Sequence, residues 1–192
     1  MLLDQVHELA VVLAVLARRT LRPDGKKLAA VLVPLLAVGD VMHVLYTRRA
    51  AGLPTHQGQV AFPGGTHDTG RDESLVATAL REAHEEVGLQ PADARVIGTL
   101  DDIETVTSRF VITPVVGIVP HPYPWAPDPR EVDHVFTVPL ADLAAPGVER
   151  RETWSFEGRD VPVDLFPVAG QVIWGATHRI TRNLLDIVGG LR

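Results

Sequence analysis

The sequence contains one strongly periodic stretch, residues 74–88, which reads SLVATALREAHEEVG. Apolar side chains recur in it at intervals of four, three and four residues, which predicts one face of an α-helix. These positions are Val76, Leu80, Ala83 and Val87. Gly88 follows at the point where a glycine C-cap is expected to end the helix.

The rest of the chain predicts strands and helices that pack into layers. Residues 27–38 and 41–47 predict a hairpin around Gly39 and Asp40, and further strands are expected at 95–100, 110–119 and 135–138. Helices are expected at about 2–19 and about 177–188, and the prolines of residues 120–129 predict a stiff loop. This alternation predicts an α/β domain (α+β in some schemes), with residues 1–192 as a single domain.

Composition excludes several classes of function. The 192 residues include no cysteine, which excludes thiolate metal sites and a cysteine nucleophile. The formal net charge of −6 argues against general nucleic-acid binding. The early apolar run, residues 9–17, is too short to cross a bilayer, and Asp4 and Glu8 precede it where a secretory signal would carry positive charge. We therefore expect a cytoplasmic protein without a membrane partner.

Three carboxylates share one arc of the predicted central helix. At about 100° per residue, Glu86 lies about 40° and Glu85 about 60° from Glu82, on the side away from the apolar stripe. Like charges at these spacings repel, and a hard divalent cation such as Mg²⁺ or Mn²⁺ would relieve the repulsion. The alternative is an acidic face that simply meets water.

Two glycines before the helix help to distinguish a metal site from an acidic face that meets water. The tetrad Phe62-Pro63-Gly64-Gly65 permits close approach of a ligand to the backbone, although glycines also serve as plain turn residues. A glycine loop before an acidic helix is typical of a site where metal-bound phosphates meet the backbone. Gly64 and Gly65 are therefore candidate substrate-binding residues.

The order of these residues resembles the Nudix box. Glu73 is followed by seven residues and then by Arg81-Glu82-Ala83-His84-Glu85-Glu86-Val87-Gly88-Leu89. The chain departs from the pattern in the preceding loop, because Gly65 lies two residues too early and His67 occupies the strict glycine position. We interpret this departure as a two-residue insertion within residues 66–72.

A second motif is similar to the signature of the coenzyme A pyrophosphatase subgroup of that family. It runs from Leu45-Tyr46-Thr47-Arg48-Arg49-Ala50 through Gly58 to the tetrad that ends at Gly65. Pro54 stands where the signature has a second arginine. The resemblance implies cleavage of coenzyme A or acyl-coenzyme A to 3′,5′-ADP and the corresponding 4′-phosphopantetheine.

The family resemblance also implies a fold and a set of roles. The fold would be the Nudix α/β/α sandwich with a mixed β-sheet. Glu82, Glu85 and Glu86 would bind Mg²⁺ or Mn²⁺, and Arg81 would pair with Glu73 to hold the loop against the helix. The general base would be Glu85, Glu131 or Glu104.

Candidate substrate contacts lie outside the acidic helix. Arg48 and Arg49 are candidates for phosphate binding, because a guanidinium binds phosphate through two hydrogen bonds. His56 is a further candidate. Trp125 and Tyr123 could stack on adenine or cover the pantetheine arm, or they could pack the proline-rich loop itself.

Two other functions stay open at this stage. A Nudix enzyme could instead act on ADP-ribose, dinucleotides or nucleoside triphosphates. A catalytically silent Nudix domain could sense a nucleotide-containing ligand, although the complete set of carboxylates argues against silence. The chain length permits the N-terminal helix to pack on its own domain or across a homodimer.

Overall fold

A computed structural model of the chain describes residues 2–105, 109–156 and 158–191. The helices within these residues are α1 (Leu2–Val15), α2 (Leu75–Val87), α3 (Leu140–Leu143) and α4 (Gly175–Gly189). The strands are β1 (Lys27–Val38), β2 (Val41–Arg49), β3 (Val60–Ala61), β4 (Gly64–Thr66), β5 (Arg95–Thr99), β6 (Ile103–Glu104), β7 (Phe110–Ile118), β8 (Val132–Pro139), β9 (Arg150–Phe156), β10 (Arg159–Val168) and β11 (Gln171–Trp174).

The larger sheet is mixed and is centred on β1. Its main path runs β3-β2-β1-β7-β5, while β4 pairs with β1, β6 with β7 and β8 with β2. β1 and β7 are parallel, and β1 and β2 form the predicted antiparallel hairpin, in which Val38 lies opposite Val41. The smaller sheet is antiparallel, in the order β11-β10-β9.

Successive side chains of β1 enter two different hydrophobic cores, because a strand points alternate residues to opposite faces of its sheet. Ala30 and Leu32 pack with the apolar face of α2. Val33 and Leu35 pack with α1, α4 and the smaller sheet. Helices thus cover both faces of a mixed sheet, which confirms the predicted α/β class.

The first predicted helix is too long at its C-terminal end. α1 ends at Val15 rather than at about residue 19. The backbone N–H groups of Arg19 and Leu21 donate to the carboxylates of Asp101 and Asp102, at 2.8 Å each. The first of these bonds uses the Arg19 N–H, which a helix that continued to residue 19 would need for its own ladder. At the other end of the chain, α4 is slightly longer than the predicted 177–188.

The glycine tetrad ends in a strand rather than in a loop. Gly64, Gly65 and Thr66 form β4, in which Gly64 lies opposite Val31 and Gly65 opposite Ala30 of β1. This pairing places the end of the tetrad against the central strand of the sheet, directly beneath α2. Among the helices of the described residues, none combines the length and the apolarity that crossing a membrane requires.

Candidate active site

Two glycines of β4 allow the backbone to lie tightly between the sheet and α2. A Cβ atom on Gly64 would overlap the carbonyl oxygen of Ala30 and the Cα atom of Val31. A Cβ atom on Gly65 would overlap the carboxylate of Glu82. Both positions therefore require glycine for space, and the Glu82 carboxylate lies directly on the backbone of β4.

The guanidinium of Arg81 connects the loop before α2 to the acidic face of this helix. Its Nε and Nη2 atoms donate to the two carboxylate oxygens of Asp72, at 2.7 and 2.9 Å. Its Nη1 atom lies 2.9 Å from Glu82 Oε1 and 2.8 Å from Glu85 Oε2. Nη2 also donates to the carbonyl of Thr66, at 3.3 Å. The hydrogen bonds to Asp72, more than any other contact, raise the pKa of Arg81.

The expected pairing of Arg81 with Glu73 is wrong, because the carboxylate that Arg81 binds belongs to Asp72. Glu73 is exposed, whereas the side chain of Asp72 is only 2% exposed. Asp68 turns the chain so that Asp72 points inward: its carbonyl accepts from the N–H of Asp72 at 2.7 Å, and its own N–H donates to the Asp72 carboxylate at 3.0 Å. The acidic partner of Arg81 therefore lies one position before the predicted one.

Two further residues of this network were not predicted to interact with it. The hydroxyl of Thr78 donates to Asp72 Oδ2 at 3.0 Å and lies 2.7 Å from Nδ1 of His67. Thr78 is fully buried on α2. The sequence contained one indication of this contact: Thr78 lies on the buried face of the helix, and a buried hydroxyl needs a hydrogen-bond partner.

Glu86 is the buried carboxylate of the site. It is 4% exposed and lies among the buried residues of α2, although the helical spacing placed it on the arc away from the apolar stripe. Its Oε2 atom accepts from the N–H of Gly64 at 3.3 Å. Burial, followed by the negative charges of Glu131 and Glu82, raises the pKa of Glu86 to about 8, and the Gly64 N–H and the charge of Arg49 oppose this shift in part.

The proline-rich loop brings Glu131 to the acidic helix. The N–H of Asp128 donates to the carbonyl of Glu86 at 2.9 Å, and the N–H of Glu131 donates to the carbonyl of Asp128 at 2.9 Å. The carbonyl of Glu131 then accepts from the N–H of Ala50, also at 2.9 Å. As a result, the charge of Glu131 raises the pKa of both Glu82 and Glu86.

The other two candidates for the general base have different surroundings. Glu85 is 40% exposed and lies between two guanidinium groups, 2.9 Å from Arg71 and 2.8 Å from Arg81. Glu104, on β6, forms an ion pair with Lys26 at 3.0 Å. Of the three candidates, Glu131 is the one whose charge acts on both Glu82 and Glu86.

The two adjacent arginines of β2 separate at a bulge. The register of β2 against β8 shifts between Arg48 and Arg49. Arg48 contacts Gln171 at 3.4 Å and Asp133 at 3.8 Å. Arg49 instead acts on Glu86 through its charge, and its buried Nε atom has no hydrogen-bond partner among the described residues. Of the two arginines, Arg49 is therefore the one whose charge acts on the buried carboxylate of Glu86.

The remaining candidate substrate contacts lie in two loops. His56 is exposed and its Nδ1 atom lies 2.9 Å from Oε1 of Gln59. Trp125 packs on Tyr123, with ring centroids 4.8 Å apart, and both rings lie against the core beneath α2. This is the loop-packing alternative for Trp125, and stacking on a substrate stays a prediction.

The donor set suits a hard divalent cation. Glu82, Glu86 and Glu131 are oxygen donors, and the charge of Glu131 contributes to the raised pKa of both Glu82 and Glu86, so that a bound cation would relieve this repulsion. Within the part of the chain that the structure describes, no three such side chains already converge as a ligand set. Arg81 holds Glu82 and Glu85, so that their use as metal ligands requires both carboxylates to exchange this partner.

Replacing Asp72 by asparagine should lower the free energy of unfolding by about 3 kcal/mol, because Arg81 and its neighbours lose a buried charged partner. The matched Glu73→Gln variant should change it by less than about 0.5 kcal/mol. Denaturant unfolding of both variants measures the difference. Equal effects would show that Asp72 does not anchor the loop.

Without divalent cations, the stability of the protein should fall as the pH rises from the ordinary glutamate pKa of 4.5 towards about 8. In this range the folded state keeps the proton of Glu86 and the unfolded state has lost it, so that unfolding releases about one proton. Glu86→Gln should remove this slope. Chemical denaturation across the pH range tests the expectation, which identical slopes in both proteins would contradict.

Comparison with known proteins places this site in a family. The family model of the NUDIX domain matches residues 26–157. A protein of Salmonella paratyphi B named as an uncharacterized Nudix hydrolase, NudL, is 41% identical over 165 residues, which cover 86% of this chain and 84% of that protein. The NudL protein of Salmonella newport matches to the same extent.

Solved structures agree on the fold. The crystal structure of the M. smegmatis Nudix hydrolase RenU matches with a TM-score of 0.52 and 25% identity, over 62% of this chain and 74% of that one. A MutT/nudix family protein from Enterococcus faecalis matches with a TM-score of 0.53 and 19% identity, over 90% of this chain and 66% of that one. Since the family model spans more than half of the sequence and the NudL proteins match most of it, the chain belongs to the Nudix family and is a pyrophosphohydrolase enzyme.

Proposed function

We propose that the enzyme hydrolyses the diphosphate linkage of coenzyme A or acyl-coenzyme A, giving 3′,5′-ADP and the corresponding 4′-phosphopantetheine. The support for this substrate is the motif that runs from Leu45 to Gly65, which is similar to the signature of the coenzyme A pyrophosphatase subgroup. Two parts of that motif, Arg49 and the Gly64-Gly65 pair, lie beside Glu86 or Glu82.

The observation that carries the proposal is the unpartnered Nε of Arg49. A buried guanidinium N–H without an acceptor is costly, and it is retained where a ligand supplies the acceptor. Here the missing acceptor would be a phosphate oxygen. A guanidinium beside carboxylates can bind a diphosphate while the carboxylates hold the cations that accompany it.

In this mechanism, water attacks one phosphorus atom of the diphosphate and the bond to the bridging oxygen breaks. Two phosphate monoesters are formed. Glu131 accepts the proton of the attacking water, since its carboxylate acts on both Glu86 and Glu82, which would hold the cation. Arg49 orients the phosphate under attack, and Arg81 keeps the glycine strand and the acidic helix together.

Glu82, Glu85 and Glu86 would hold Mg²⁺ or Mn²⁺, whose chemical contribution when bound is to neutralise the negative charge that repels the nucleophile. For these ligands, the raised pKa of Glu86 implies that cation binding competes with a proton below about pH 8. Arg81 would release part of its hold on Glu82 and Glu85 while keeping Asp72.

The residue at position 54 supports a second candidate class of substrate. Pro54 occupies the position of the second arginine in the subgroup signature, so that one expected basic contact is missing. Other nucleotide-containing diphosphates, such as ADP-ribose or a dinucleotide, would need no such contact if Arg49 alone binds the phosphates.

The purified enzyme with Mg²⁺ or Mn²⁺ should convert coenzyme A to 3′,5′-ADP and 4′-phosphopantetheine, identified by mass spectrometry. ADP-ribose, NADH and a nucleoside triphosphate are tested in parallel, and Glu86→Gln serves as the inactive control. If one of these compounds is hydrolysed and coenzyme A is not, coenzyme A is rejected as the substrate, while diphosphate hydrolysis stands as the reaction. If no compound is turned over, the ligand-sensing alternative takes its place.

Glu131→Gln should lower kcat by about 10²-fold or more with a small change in KM, because the variant binds substrate and lacks the proton acceptor. Glu104→Gln, at the candidate paired with Lys26, should leave kcat within about twofold. Steady-state kinetics on the substrate found above give both values. If kcat falls more in the Glu104 variant than in the Glu131 variant, Glu104 is the general base and Glu131 is not.

A further inference from the structure

A cavity of about 210 Å³ lies on the face of the molecule opposite the acidic helix. Its lining residues come from α4, from the segment after α1 and from the turn before β6, and include Arg19, Asp101, Arg179, Arg182, Asn183 and Asp186. The apolar face of α4 packs in the core that also contains α1, whereas α2 packs in the other core. The sheet therefore separates this cavity from Glu82 and Glu86.

Two guanidinium groups of the cavity have no carboxylate partner within the described ranges 2–105, 109–156 and 158–191. The side chain of Arg179 donates to the backbone carbonyl of Glu104 at 2.7 Å. The side chain of Arg19 makes one long contact, 3.5 Å, to the backbone carbonyl of Asp102. These two guanidinium groups can therefore donate to an anion at the cavity.

Arg182 adds a third guanidinium group to the cavity, and one of its N–H donors has no acceptor among the described residues. Its Nη1 and Nη2 atoms bind Glu149 at 3.3 Å and Asp186 at 2.8 Å. Its Nε atom is buried and has no hydrogen-bond partner among the described residues. Arg49 and Arg182 are the two described residues with a buried side-chain atom in this condition, and Arg49 belongs to the active site.

The carboxylates of the cavity already have donors. Asp101 Oδ1 accepts from the backbone N–H of Arg19 at 2.8 Å, and Asp186 Oδ1 lies 2.8 Å from Arg182. Asn183 accepts from the N–H of Asp101 through its Oδ1 atom at 3.0 Å, which leaves its amide hydrogens as donors. The lining therefore presents three guanidinium groups and two carboxylates.

We propose that this cavity binds a tetrahedral phosphate dianion, either free or as a monoester, at a site separate from the active site. Arg19, Arg179 and Arg182 supply charged donors, and phosphate is the anion whose several oxygens can accept from all of them. The cavity is larger than a single phosphate ion requires, which allows for an ester group. A bound phosphate would connect α4 to the segment after α1.

Isothermal titration calorimetry of the metal-free full chain with inorganic phosphate tests the site, with AMP as the monoester probe and chloride at equal ionic strength as the blank. Arg179→Gln and Arg19→Gln should each weaken phosphate binding by about tenfold or more, because each removes a charge-assisted donor. Both residues are exposed, so that these variants keep the fold. Arg95→Gln, at an exposed arginine of β5, is the matched control and should bind like the wild type.

Each outcome decides the proposal. Binding of inorganic phosphate identifies free phosphate as a ligand, and binding of AMP alone identifies a monoester; both support the site if Arg179→Gln weakens them and Arg95→Gln does not. Saturable binding of neither probe overturns the proposal. Binding that Arg49→Gln weakens and Arg179→Gln leaves intact also overturns it, since the ligand would then lie in the active site.

Discussion

The structure of the active site depends on the guanidinium group of Arg81. This one cation binds Asp72, Glu82 and Glu85 and also donates to the carbonyl of Thr66. It therefore neutralises carboxylates that would otherwise repel one another along α2, and it joins the glycine strand to that helix. The position of Gly65 against Glu82 follows from this connection, because both segments are held by the same side chain.

Arg81 leaves two carboxylates uncompensated. Burial and the nearby charge of Glu131 raise the pKa of Glu86, and Arg49 is the cation that acts against this shift. A buried group of like charges costs stability, and such departures from ideal packing are expected at functional sites. The positive charge that would compensate these carboxylates is the charge that a divalent cation would bring.

The mixed sheet separates two polar regions that differ in sign. On the α2 side, β1 carries the glycine strand, and carboxylates dominate. On the α4 side, Arg19, Arg179 and Arg182 line a cavity on the opposite face. Because alternate residues of β1 pack in different cores, each side has its own hydrophobic support.

The sequence alone was enough to predict the α/β class, the hairpin around Gly39 and Asp40 and the central helix that carries Glu82, Glu85 and Glu86, because these features depend on local periodicity and spacing. It could not determine that Asp72, not Glu73, binds Arg81, or that Glu86 is buried. Nor could it show that the proline-rich loop brings Glu131 to Glu86 and Glu82. Those arrangements arise from contacts between segments distant along the chain, such as the Asp128 N–H on the Glu86 carbonyl, and spacing along one segment carries no information about them.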